Sequence, residues 1–151
     1  MSFLKSSLAA IALAAAQPAL AADTITVSDA YARFLPGAKA GAAFMIIDNA
    51  AAEDDRLLGA ASDAASRVEL HTHKAGEGGM MQMLHVPEGF VVPAHGRLAL
   101  ARGGDHVMLM GPVQAFTTGD TLMLTLSFEH AGDVAVAVSV DNARAPAAPA
   151  N

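Results

Sequence analysis

Apolar and polar residues alternate along most of the chain, in short runs broken by Gly, Asp, Asn and Pro. A period of two marks half-buried strands, because successive side chains leave opposite faces of the backbone. The pattern predicts strands at Thr24–Arg33, Ala40–Asn49, Arg56–Ala61, Ala65–Thr72 and Met80–Val86. Further strands are predicted at Gly89–Val92, Arg97–Ala101, His106–Met110, Thr121–Glu129 and Val134–Asp141. The last two are the most regular. Leu122, Leu124, Leu126 and Phe128 alternate with Met123, Thr125, Ser127 and Glu129, and Val134, Val136, Val138 and Val140 alternate with small or polar residues. They are expected to form a hairpin through His130–Asp133, with its apolar face covering a second sheet. No run has the spacing of a long amphipathic helix, so the pattern predicts a single all-β sandwich domain.

The two ends depart from this pattern. Residues 1–21 read as a signal peptide: Lys5 is followed by the apolar stretch Leu8–Ala16, too short to span a bilayer, and Pro18-Ala19-Leu20-Ala21 offers a small-x-small cleavage site. A cut after Ala21 leaves a domain over 22–142, exported to a bacterial periplasm, and a tail at 143–151 rich in Ala and Pro that is expected to be disordered. No later segment is apolar enough for a membrane span. Without Lys5, eight Lys and Arg oppose fifteen Asp and Glu, a net charge of −7 that disfavours nucleic acid or an anionic membrane as partner.

The sequence contains no cysteine. That excludes disulfides, thiolate zinc sites and a Cys-ligated blue-copper centre. What remains for soft-metal chemistry is thioether and imidazole, and both cluster. Of eight methionines, Met80, Met81, Met83, Met108 and Met110 fall in two predicted strands, each of which also carries a histidine. Alternation puts Met81, Met83 and His85 on one face, His106, Met108 and Met110 on another, and Glu69, His71 and His73 on a third. Calcium, magnesium and zinc rarely choose thioethers, so a mixed His/Met set points to copper, Cu(I) above all. The competing reading is ordinary packing, which is assigned to Met45 and Met123; His95 and His130 read as loop residues.

These segments resemble the periplasmic copper chaperone family PCu(A)C, in which a His is followed about eleven residues on by a Met and, after a further twenty-odd residues, by His-x-Met. Here His71, Met83 and His106-Val107-Met108 stand at that spacing, within the flanking text Gly41-Ala42-Ala43-Phe44-Met45, Val68-Glu69-Leu70-His71-Thr72-His73 and Gly103–Gly111. The resemblance implies a cupredoxin-like, immunoglobulin-like sandwich that holds one Cu(I) near the surface, at one end, through His71, Met83, His106 and Met108. It also implies delivery to an acceptor such as the copper-A centre of cytochrome c oxidase subunit II, or another periplasmic copper chaperone. The loop Lys74–Gly79 is longer than the family pattern, leaving Met81 and Met83 as alternatives, and His73 stands as an added imidazole that could assist Cu(II).

Two other classes stay open at the level of residues. One is a secreted sandwich that binds a protein or small ligand without metal; on the copper reading itself, storage or tolerance also stands as an alternative to delivery. The other is a zinc enzyme built on His71, His73, His106 or Glu69, which leaves Met83 and Met108 without a role. No nucleophile–base motif or phosphate loop accompanies the serines, and the protein is not expected to be an enzyme.

Overall fold

The computed structural model describes residues 24–146. The expected signal peptide and residues 147–151 of the expected tail lie outside the described residues. Ten strands follow in order: β1 (Ile25–Phe34), β2 (Ala40–Asn49), β3 (Asp55–Ala61), β4 (Ala65–Ala75), β5 (Met81–His85), β6 (Phe90–Val92), β7 (Arg97–Leu100), β8 (His106–Pro112), β9 (Thr121–Phe128) and β10 (Gly132–Val140). The all-β sandwich-like fold is as expected. Its connectivity differs in one respect: instead of two separate sheets, one hydrogen-bonded ladder runs β5-β4-β8-β2-β1-β10-β9-β3-β6, with β7 pairing with β2 off this path. Parallel pairing of β1 with β10 joins the two halves, Tyr31 opposite Ser139 and Ala32 opposite Val140.

The ladder folds over a core to which both halves contribute. Ile47, Leu57, Leu70, Leu109, Leu124, Leu126 and Val138 are fully buried there, each contributing about 1.5–3 kcal/mol relative to exposure. The alternation read in β9 and β10 is seen directly: Leu122, Leu124, Leu126, Phe128, Val136, Val138 and Val140 point inward. Met123 does not pack as expected. It is exposed, on the solvent face of β9 with Thr125 and Ser127.

The hairpin joining β9 and β10 is tighter than expected. Gly132, with a φ of 75°, already pairs with Phe128. Asp55 caps what remains of the loop: its carboxylate accepts from the backbone N–H groups of His130 and Ala131, both at 3.0 Å, and of Arg56 at 2.7 Å. Beyond the C-terminal end of β10, contacts extend past residue 142. The Arg144 guanidinium lies 4.0 Å above the Tyr31 ring and pairs with Asp29 at 2.6 Å. Asp29 occupies the left-handed region (φ 52°) where β1 bulges between Ser28 and Tyr31.

Candidate metal centre

Three neighbouring strands bring the His and Met segments together. β4 pairs with β8 so that Glu69 lies opposite Met108 and His71 opposite His106. On its other side β4 pairs with β5, setting His71 opposite His85, His73 opposite Met83 and Ala75 opposite Met81. Directly opposed residues share a face of a sheet. Glu69, His71, His73, Met83, His85, His106 and Met108 therefore stand on one face, while Leu70, Val107 and Leu109 fill the core beneath. The face is the outward one, toward the end of the sheet where β8 begins.

The hairpin register bears on the choice between Met81 and Met83. β4 runs to Ala75, three residues beyond its expected end, and Gly76 N–H closes the turn on the Met80 carbonyl. That turn takes up the long loop, with Gly78 and Gly79 both at positive φ. Met83 lies two register positions from the His71 pair, and Met81 lies four away.

His106 is the buried base of the cluster, 1% exposed, with its ring 5.9 Å from that of His71, 5.1 Å from His73 and 6.1 Å from Phe44. Its Nδ1 lies 3.0 Å from the Gly104 carbonyl, and His73 Nδ1 approaches the same oxygen at 3.3 Å. A carbonyl only accepts, so His106 Nδ1 carries the proton and Nε2 keeps a free lone pair. Burial pushes the His106 pKa down, aided by the nearby His73 and His71 and opposed by the Gly104 hydrogen bond and Asp105, which favours the neutral ring that a metal requires. The Gly104 carbonyl is held by a turn in which Gly104 N–H donates to Ala101 at 3.0 Å and Gly103 adopts a φ of 83°. From the core side, the Thr72 hydroxyl donates to Asp105 at 2.6 Å, tying β4 to this turn.

His71 is arranged the other way round. Its Nε2 donates to Glu69 Oε2 at 3.0 Å, and its Nδ1 is buried without any hydrogen-bond partner. The hydrogen bond from His71 holds the Glu69 carboxyl below its ordinary range, against burial and with help from Arg67. Arg67 Nε lies 3.2 Å from Glu69 Oε1 and its Nη2 donates to Met110 Sδ at 3.4 Å.

An unpaired buried nitrogen is what a metal donor looks like without its ion. Two imidazoles each placing a nitrogen about 2 Å from one ion have centroids at most about 6 Å apart, and His71 and His106 meet that limit. Among the described residues, no three His, Asp or Glu side chains converge as a metal site by themselves. His71, His73 and His106 are neighbours, and the thioethers of Met83 and Met108 stand on the same face beside them. Met108 is half-buried and Met83 is 50% exposed at the rim. His95 and His130 lie in loops outside the cluster, and Met45 is in the core, as expected. Neither Phe44 nor the Gly104 carbonyl was singled out from sequence as part of this site.

Comparison with known proteins places the chain. A family model described as LpqE-like matches residues 25–140. The lipoprotein Lxx21020 of Leifsonia xyli subsp. xyli (strain CTCB07) is 35% identical over 123 residues, 82% of this chain and 73% of that protein. Among solved structures, the copper-bound PCuAC domain from PmoF2 superposes with a TM-score of 0.64 at 26% identity, covering 78% of this chain and 92% of that one. The solution structure of CuI-DR1885 from Deinococcus radiodurans gives 0.60 at 34% identity, covering 78% and 79%.

Proposed function

This chain belongs to the LpqE-like, PCu(A)C-type family, and from that premise we propose that it is a copper carrier holding one Cu(I) through His71, Met83, His106 and Met108. The observation that carries the reading is the buried, unpartnered Nδ1 of His71, a residue that pairs with His106 across β4 and β8 with two thioethers on the same face. Four neutral donors leave the bound ion its single positive charge, a set that suits Cu(I) and yields it to a thiolate-bearing acceptor. The Met83 thioether at the exposed rim is where such an acceptor would first reach the ion. Export to the periplasm and delivery toward the copper-A centre of cytochrome c oxidase complete the proposal, with His73 as an auxiliary nitrogen for Cu(II).

Anaerobic titration of residues 22–151 with Cu(I), in competition with a chromophoric chelator, tests it. One Cu(I) per chain is expected, with far weaker Zn²⁺ binding. Zinc held as tightly as Cu(I), or no copper bound at all, would overturn the reading.

A further inference from the structure

Glu69 lies on the same face as the proposed donors, and both of its carboxylate oxygens are already engaged. Oε2 accepts from His71 Nε2 at 3.0 Å and Oε1 faces Arg67 Nε at 3.2 Å. A carboxylate that accepts from an imidazole N–H determines which ring nitrogen carries the proton and which carries the lone pair. Here the lone pair is left on the buried Nδ1. At His106 the backbone does the same job with the opposite result, since Gly104 binds Nδ1 and leaves Nε2 bare. Arg67 also engages the Met110 sulfur, opposite it in the register, while Met108 lies opposite Glu69. The two thioethers of β8 are thereby given different surroundings.

Building on the copper-carrier reading, we propose that Glu69 is a positioning residue: it locks the His71 ring so that copper binds through Nδ1 at His71 and through Nε2 at His106. The Arg67 end of the chain is well exposed, and as a surface ion pair it adds little by itself. The His71–Glu69 hydrogen bond is the part that matters.

The test pairs Glu69→Ala with Glu69→Gln, whose amide oxygen can still accept from His71 Nε2. Long-range ¹H–¹⁵N NMR of the copper-free protein should find the His71 proton on Nε2 and the His106 proton on Nδ1. In Glu69→Ala the His71 ring should become a mixture of tautomers, and Cu(I) affinity should fall about tenfold to a hundredfold. Glu69→Gln should restore most of both. On adding Cu(I) to the wild type, the ¹⁵N signals of His71 Nδ1 and His106 Nε2 should be the ones that move. A His71 proton on Nδ1, or an unchanged ring and affinity in Glu69→Ala, overturns the proposal. So does a Glu69→Gln variant as weak as the alanine, which would make the carboxylate itself a ligand. Because the tautomers are read without copper, a wild type that binds none sinks the carrier reading, while the fixing of the His71 ring by Glu69 is still decided.

Discussion

Met83 is the proposed donor whose contribution separates most cleanly from folding. Its side chain is half exposed on β5, and leucine is close to it in volume, so Met83→Leu should change stability by no more than about 0.5 kcal/mol. Loss of a thioether should nevertheless weaken Cu(I) binding by about tenfold or more, about 1.4 kcal/mol. His73→Ala is the informative counterpart, because His73 lies directly opposite Met83 and its ring is 5.1 Å from that of His106. We expect a fall of less than about threefold in Cu(I) affinity, small beside tenfold. Chelator competition on both variants checks this, and the reverse order would exchange the roles of His73 and Met83. At this scale the sequence named candidate donors and was silent about their orientation. Period-two spacing put His71 and His73 on one face but could not say which residue of β5 opposes either. The Gly104 carbonyl was invisible to it, since a backbone oxygen is aimed by its turn and not by residue type.

Strands were legible wherever one face is apolar, and less so where neither is. β9 was read to within one residue and β10 to within two, because their inward faces are Leu, Phe and Val. The end of β4 was missed because His73, Lys74 and Ala75 bury nothing in the core and are strand only by pairing with β5. The cap on the β9–β10 loop was also illegible, since Asp55 lies far away in sequence. Burial pushes its carboxyl up, but the N–H groups of His130, Arg56 and Ala131 together outweigh this and hold its pKa below the ordinary 3.8. A lowered native pKa means that the unfolded chain binds this proton more readily than the folded one. The stabilisation is therefore complete well above pH 3.8 and is lost as pH falls through the native value. Asp55→Ala should cost about 3 kcal/mol near neutrality by stranding those donors, and the gap to wild type should narrow in acid. Denaturant midpoints at pH 7 and pH 3 measure it; a gap independent of pH would mean that Asp55 acts through packing alone.

Across the molecule, the proposed donors are unequally anchored. β4 and β8 are paired on both sides within the sheet, while β5 ends the ladder and is attached through β4 alone, every one of its residues exposed. The continuity of that ladder could not be seen in the sequence, because it depends on β1 meeting β10 at opposite ends of the chain. Its consequence is kinetic. A terminal strand with no core side chains can detach without disturbing the rest, so the amides of β5 should exchange with deuterated solvent far faster than those of β8. Cu(I) bound in part by Met83 would clip the strand down. At a free concentration a hundred times the dissociation constant it adds about 2.7 kcal/mol, or about a hundredfold slower exchange in β5. Equal β5 exchange with and without copper would show that Met83 takes no part. With such a clip in place, the lifetime of a copper-loaded protein would be governed by how often one hairpin frays, and the ion would leave on the timescale of a local opening while the fold itself stays intact.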